Sequence, residues 1–139
     1  MNKTTYNMAL KEGKAVAFDF DGVIHKYSKG WQDGSIYDEP NKDALELILI
    51  LQLMKIPCVI ISTRRPEQIK EWWDKQGITI RAKVLDWDTV FYNDCSCIGI
   101  TNRKLPAQLY IDDRAYRYTG QTAKEFLTDY AKKIAVEIN

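Results

Sequence analysis

The chain contains 139 residues, which is the size of one domain with a substantial core. Its composition is that of a soluble globular protein, with 45% hydrophobic and 28% charged residues and a formal net charge of +1. This balance argues against a protein that binds nucleic acid mainly through a basic surface, although it is compatible with a local basic groove.

Cysteine usage and hydropathy indicate the compartment. The chain has three cysteines, Cys58, Cys95 and Cys97. Because this number is odd and no C-x-x-C pair is present, we predict free thiols in a reducing environment. Residues 1–14 are polar and lack the apolar core of a signal peptide. The longest apolar stretch, residues 45–54, is interrupted by polar side chains and is too short to cross a bilayer. We therefore expect a cytoplasmic protein without a membrane partner.

The first predicted strand carries the most informative motif of the chain. Residues 14–20 are mostly apolar and predict a short buried strand, which runs into Asp19-Phe20-Asp21-Gly22. Two carboxylates one residue apart project the same way along a strand, and Gly22 permits a sharp turn after them. Residues 23–40 are polar, glycine-punctuated and aromatic, and predict an irregular flap.

The middle of the chain predicts two helices around a second strand. Residues 41–55 predict a helix that Asn41 caps. Residues 58–61 predict a buried strand that ends in Ser62-Thr63. A helix should then begin at Pro66 and end at Gly77.

Three further short strands are predicted at residues 78–85, 97–101 and 108–111. Between the first two of them, residues 86–94 are acidic and aromatic and fit no regular element. A capping box, Thr122 to Glu125, opens a last amphipathic helix. Strands separated by helices predict an α/β domain with a mainly parallel sheet in three layers, formed by residues 1–139 as one unit.

A second acidic pair, Asp112-Asp113, also follows a predicted strand. Because parallel strands end on the same edge of a sheet, this pair should meet Asp19, Asp21 and the Ser62-Thr63 segment there. Carboxylates gathered in this way repel each other unless a cation neutralises them. Oxygen ligands without a histidine cluster favour Mg²⁺.

These motifs resemble, in order and in register, those of the haloacid dehalogenase (HAD) superfamily. The acidic motif Asp19-Phe20-Asp21-Gly22, the strand end at Ser62, Lys104 and Tyr110-Ile111-Asp112-Asp113 match its four motifs. The likeness covers roughly residues 14–120 and is greatest to small, minimally capped members of bacteria and phages. It implies a Rossmann-like, HAD-like fold with helices flanking the sheet and a minimal cap.

The resemblance also implies a role for each matched residue. Asp19 would be the nucleophile that forms an aspartyl-phosphate, and Asp21 the general acid and base. Ser62 or Thr63 would bind the phosphoryl group; Ser62 fits the strand end better, and Thr63 fits the spacing to the following helix. Lys104 would balance developing charge, with Lys83 as the alternative.

The implied metal site consists of the Asp19 carboxylate, the Asp21 backbone carbonyl and Asp112. Asp113 would be either a further ligand or a group that orients metal-bound water. Candidate substrate contacts are Gly22, Arg64 and Trp31, which are joined in the aromatic flap by Tyr27 and Tyr37.

The implied activity is Mg²⁺-dependent hydrolysis of a phosphomonoester that the sequence does not identify. Flap residues 23–40 are too few for a cap domain, and residues 86–94 could form a minimal second insertion. An open site of this kind suits a large or macromolecular phosphoester, or a cap borrowed from another subunit in a homo-oligomer. The alternatives are a nucleotide or nucleic-acid-end phosphatase, suggested by the aromatic flap and nearby arginines, and a non-catalytic binding or regulatory module. The complete set of acids argues against the last.

Overall fold

The computed structural model describes residues 14–138, so nearly all of the segment examined for a signal peptide lies outside the described residues. In this range the chain forms, in order, β1 (Val16–Phe18), α1 (Lys42–Leu53), β2 (Cys58–Ile61), α2 (Pro66–Lys75), β3 (Ala82–Val84), β4 (Ile98–Thr101), β5 (Leu109–Ile111) and α3 (Ala123–Ile138). All the predicted strands and helices are present; β2 has the predicted bounds, and the other four strands are shorter than predicted.

The five strands form one sheet in the order β3-β4-β2-β1-β5, and every neighbouring pair is parallel. Phe18 is in register with Ile60 on one side and with Ile111 on the other. The residues that follow β1, β2 and β5 therefore emerge together at the carboxyl edge of the sheet. The predicted α/β class and parallel sheet are confirmed, and the architecture is compatible with a Rossmann-like fold.

One face of the sheet packs against α1 and α2. Val16 and Phe18 of β1 point to this face, where Ile48 of α1 and Trp73 of α2 are fully or almost fully buried with them. The indole N–H of Trp73 donates to the carbonyl of Ile80 at 2.7 Å, which ties α2 to the segment before β3. This helix-covered face contains the larger part of the core.

Loop residues cover the opposite face. Ala17 and Val59 pack there against Tyr92 and Leu105, which come from the segments on either side of β4. The Tyr92 hydroxyl donates to the carbonyl of Cys97 at 2.6 Å, and so anchors residues 86–94 over the sheet. This segment therefore contributes a core residue, although it contains no helix or strand.

The ends of the helices follow the predicted signals. The Asn41 side chain accepts a hydrogen bond from the backbone N–H of Asp43 at 3.1 Å, and Pro66 is the first residue of α2. In the capping box of α3, the Glu125 N–H donates to the Thr122 hydroxyl at 3.2 Å, while the Thr122 N–H donates to the Glu125 carboxylate at 3.3 Å.

The large apolar residues of α3 are exposed, and none of its described side chains belongs to the buried core, whereas α1 and α2 each bury some of theirs. Phe126, Leu127, Tyr130 and Ile134 all keep more than a third of their surface in solvent. Among the described residues, none of the three cysteines is in a disulfide, in agreement with the prediction. Within residues 14–138, no helix combines the length and the apolar character needed to span a membrane.

Candidate active site

Three carboxylates come together where β1 and β5 end. The backbone N–H of Asp19 donates to the carbonyl of Ile111 at 2.8 Å, which continues the pairing of the two strands by one residue and brings Asp112 alongside Asp19. Asp19, Asp112 and Asp113 each offer a carboxylate oxygen, and these oxygens lie within 4.8 Å of one another. We call these three residues the acidic cluster.

An open cavity of about 480 Å³ lies over the acidic cluster. It brings together the residues predicted to be catalytic and metal-binding, namely Asp19, Asp21, Ser62, Thr63, Lys104, Asp112 and Asp113. The convergence expected from the parallel topology is therefore observed, since these residues come from the ends of β1, β2 and β5 and from the loop after β4.

The environment of Asp19 disfavours its ionised form. Partial burial, followed by the nearby charges of Asp112, Asp113 and Asp21, raises the pKa of Asp19 from its ordinary value of 3.8 to about 6, against a smaller lowering by the Phe20 backbone N–H. A cation bound among these oxygens would favour the ionised form of Asp19 and so lower its pKa. An all-oxygen donor set of several carboxylates fits Mg²⁺, and Asp19, Asp112 and Asp113 are the residues that could hold it.

Asp21 has surroundings different from those of Asp19. Its Oδ1 lies 2.8 Å from Nδ1 of His25, and the Nε–H of Arg64 donates to both carboxylate oxygens at 3.1 and 2.8 Å. His25 is fully buried, and its Nε2 accepts the backbone N–H of Asp38 at 3.0 Å. Nδ1 must therefore carry the ring hydrogen that is donated to Asp21. One acid lies among other acids, and the other is held by hydrogen-bond donors.

Gly22 makes room for the acidic cluster. Its φ of +87° favours glycine, and a Cβ at this position would lie 2.2 Å from Oδ2 of Asp113. A side chain here would therefore displace the Asp113 carboxylate. Gly22 was predicted as a substrate contact, and its role visible in the structure is to let the turn after β1 pass close to Asp113.

Ser62 and Thr63 both border the cavity but differ in exposure. Ser62 is buried and its Oγ accepts the backbone N–H of Arg64 at 3.2 Å, whereas Thr63 is exposed. The Ser62 hydroxyl is thereby held in place, with its own hydrogen still able to donate toward the cavity.

The two lysines considered for the third motif lie in different places. Lys104 borders the cavity, with its ammonium 4.9 Å from the centre of the Tyr110 ring. Lys83 instead forms an ion pair with Asp94 at 2.8 Å, beside the segment of residues 86–94. Of the two, only Lys104 borders the cavity that lies over the acidic cluster.

Most of the predicted substrate contacts lie outside the described lining of the cavity, namely Gly22, Trp31, Tyr37 and Arg64. Trp31 is 67% exposed and packs over Gly34 of the flap, and Arg64 is directed at Asp21. Tyr27 of the flap does border the cavity.

Asn102 and Arg114 also line the cavity and were not predicted as site residues. Asn102 directly follows β4, so the rule that selects Ser62 after β2 would have found it as well. Arg114 directly follows the Asp112-Asp113 pair, and its backbone N–H donates to Asp112 at 2.7 Å.

No protein-family model, no curated protein and no solved structure matches this chain. The candidate function is therefore argued from the residues of the site and their geometry.

Proposed function

We propose that the chain is a Mg²⁺-dependent phosphomonoester hydrolase with a HAD-like mechanism and a minimal cap. The observation that carries this proposal is the meeting of Asp19, the Asp112-Asp113 pair, Ser62 and Lys104 around one cavity. These side chains comprise a carboxylate nucleophile, oxygen ligands for a cation, a hydroxyl donor and an ammonium group. Such a set suits transfer of a phosphoryl group.

In the proposed reaction a carboxylate oxygen of Asp19 attacks phosphorus, and the bond from phosphorus to the ester oxygen breaks. Asp21 donates a proton to the departing alkoxide. It then removes a proton from the water that attacks the aspartyl-phosphate, which releases inorganic phosphate and restores Asp19.

The remaining residues orient the phosphoryl group and compensate its charge. The Ser62 hydroxyl would donate to a phosphoryl oxygen, and Lys104 would keep Asp19 ionised and offset the charge that develops. Asp19, Asp112 and Asp113 would hold Mg²⁺ together with the Asp21 backbone carbonyl. When bound, the cation would neutralise the negative charges of the carboxylates and the phosphoryl group, which otherwise repel each other.

A nucleotide or nucleic-acid end is a second candidate substrate. The observation that favours it is the position of Tyr27 and Arg114 on the cavity wall, where an aromatic ring could stack on a base and a guanidinium could contact a further phosphate. The opening of the cavity to solvent is consistent with such a large phosphoester.

The test is phosphate release by the purified protein with Mg²⁺, from an aryl phosphate, phosphorylated metabolites, nucleotides and phosphate-ended oligonucleotides. We expect turnover that EDTA abolishes and that Asp19→Asn reduces at least about 10³-fold, as expected for loss of a nucleophile. Asp74→Asn is the matched control, since Asp74 is an exposed aspartate of α2 that pairs with Lys70.

Loss of activity in Asp19→Asn with full activity in Asp74→Asn would support the proposal. Hydrolysis of none of these compounds by the wild-type protein would contradict it and would favour a non-catalytic binding module. Undiminished turnover by Asp19→Asn would contradict the nucleophile assignment.

A further inference from the structure

The Arg64 side chain forms hydrogen bonds both with Asp21, the proposed acid and base, and with the flap of residues 23–40. We propose that Arg64 is a positioning residue, which makes the placement of the Asp21 carboxylate depend on the conformation of the flap. This inference rests on the proposed function, because it concerns how the acid and base of that reaction is held.

The guanidinium of Arg64 bridges two partners that lie far apart in sequence. Its Nε donates to both oxygens of Asp21, at 3.1 and 2.8 Å, and one terminal nitrogen donates to the carbonyl of Gly34 at 2.6 Å. The Arg64 side chain is only 9% exposed, so solvent does little to weaken these bonds. The rigid planar fork fixes the position of one partner relative to the other.

Gly34 is itself held in a defined position. Its carbonyl accepts a second hydrogen bond, from the side chain of Gln68 in α2 at 2.8 Å. Its φ is +90°, and a Cβ there would lie 3.0 Å from the ring of Trp31. Trp31, predicted to contact substrate, therefore packs over the point where the flap is attached to Arg64.

The second residue that holds Asp21 belongs to the flap itself. His25 donates from Nδ1 to Asp21, and its Nε2 accepts the backbone N–H of Asp38. Tyr27 and Tyr37 of the flap pack edge-on against the imidazole ring. Both side-chain contacts to Asp21 thus connect it to the flap: Arg64 does so through Gly34, and His25 is itself a flap residue that is held by Asp38.

This geometry distinguishes Arg64 from a residue that binds phosphate directly. Its side chain is directed at Asp21 and Gly34, whereas Ser62, Lys104 and Arg114 border the cavity. A substrate that displaces the flap through Tyr27 would therefore also move Asp21, and proton transfer would respond to how the flap sits. Arg64 acts through Asp21 and not on the phosphoryl group.

The experiment compares Arg64→Gln and Arg64→Lys with the wild type. Arg81→Gln is the matched control, because it makes the same change of charge at an exposed arginine. Arg81 directly precedes β3, which is an edge strand of the sheet and does not adjoin the flap's contact with Arg64. The first readout is amide hydrogen exchange of residues 27–38. The second is kcat/KM with Mg²⁺ on phenyl phosphate, whose leaving group needs a proton, and on 4-nitrophenyl phosphate, whose leaving group does not. kcat/KM covers the steps up to departure of the leaving group and so excludes the later attack of water, in which Asp21 serves both substrates alike.

We expect Arg64→Gln to speed exchange in residues 27–38 several-fold, with the core strands unchanged. Its kcat/KM should fall at least about tenfold for phenyl phosphate, as part of the 10²–10⁴-fold contribution of a general acid, and less than about threefold for 4-nitrophenyl phosphate. Arg64→Lys keeps the charge but not the fork, so it should restore neither readout. Arg81→Gln should match the wild type in both.

Equal losses on the two substrates would overturn the inference, because they would indicate a contact with the phosphoryl group. Full recovery by Arg64→Lys would also overturn it, since charge alone would then suffice. Unchanged exchange in Arg64→Gln would refute the link to the flap whether or not the protein is active. Absence of turnover by the wild type would instead count against the proposed function, and the exchange comparison would then decide the link on its own.

Discussion

Two aspartates separated by one residue have opposite surroundings in this protein. Asp19 lies in the acidic cluster, where burial and like charges raise its pKa, whereas Asp21 accepts hydrogen bonds from His25 and Arg64. β1 ends at Phe18, so the turn that follows it places Asp21. This difference agrees with the two proposed roles. Asp19 would be the nucleophile, whose charge a cation would neutralise, and Asp21 would be the acid and base, whose carboxylate must be oriented.

The acidic cluster predicts a pH dependence of stability in EDTA. The raised pKa means that, between about pH 4 and about pH 6, the folded protein binds the Asp19 proton more tightly than the unfolded chain does. The free energy of unfolding should therefore fall as pH rises through this range, by roughly 1 kcal/mol once solvent screening is allowed for. Urea unfolding of wild type and Asp19→Asn at pH 4.5 and pH 7 measures it.

Asp19→Asn should lack this decline and should be the more stable protein at pH 7 in EDTA. Added Mg²⁺ should stabilise the wild type at pH 7 and have much less effect on the variant. The free energy of unfolding could instead change equally in the wild type and in Asp19→Asn between pH 4.5 and pH 7. That result would contradict the crowding of charges around Asp19.

Gly22→Ala should separate backbone strain from displacement of Asp113. Gly77 is the matched control, because its φ is also positive, at +68°, but a Cβ there would meet nothing within 4 Å. Both Gly→Ala variants should lose about 1 kcal/mol from the left-handed conformation. Only Gly22→Ala should also weaken Mg²⁺ binding, by about tenfold as for loss of one supporting group, measured by calorimetric titration. Equal Mg²⁺ affinity in the two variants would contradict the steric role of Gly22.

At the scale of the elements, the strands were predictable from the sequence because their signals are local. Runs of apolar residues marked β1 and β2, and Asn41, Pro66 and the capping box at Thr122 marked the ends of helices. Because all the strands are parallel, the residues that follow them could be predicted to gather at one edge of the sheet. Most of the candidate site followed from this reasoning.

The contacts of Arg64 with Asp21 and with the flap could not be predicted, because they join residues that are distant in sequence. Arg64 reaches Asp21 across 43 positions and Gly34 across 30, and no local pattern encodes either contact. The burial of Tyr92, which comes from a segment without regular structure, is a similar case, since it depends on the space that Gly99 leaves beside the sheet. Side-chain direction, and not element type, was the missing information.

Trp73 is expected to be the main attachment of α2 to the sheet. It is 2% exposed, and its indole N–H donates to the Ile80 carbonyl, so Trp73→Phe should remove a buried hydrogen bond and leave a small cavity. We expect a loss of about 2–3 kcal/mol in the free energy of unfolding by urea. Trp87→Phe is the control, because Trp87 is 82% exposed and its replacement should cost less than about 0.5 kcal/mol. Similar losses in the two variants would refute this role.

At the scale of the whole molecule, the described chain has one highly buried half and one exposed half. The face covered by α1 and α2 contains the larger part of the core, while β5 and α3 keep apolar side chains such as Leu109 and Leu127 in solvent. The candidate active site lies between these halves, where β5 pairs with β1. The fold thus places the acidic cluster beside the larger part of the core, with the cavity over it open to solvent.

The most direct test of the proposed function is chemical trapping of the covalent intermediate. The protein would be mixed with a hydrolysed phosphoester and Mg²⁺, quenched, and reduced with borohydride, which converts an aspartyl-phosphate to homoserine that peptide mass spectrometry can locate. We predict reduction at Asp19, only when both substrate and Mg²⁺ are present, and none at Asp21 or Asp112. Release of phosphate without reduction at Asp19, or with reduction at another aspartate, would contradict the assignment of Asp19 as the nucleophile.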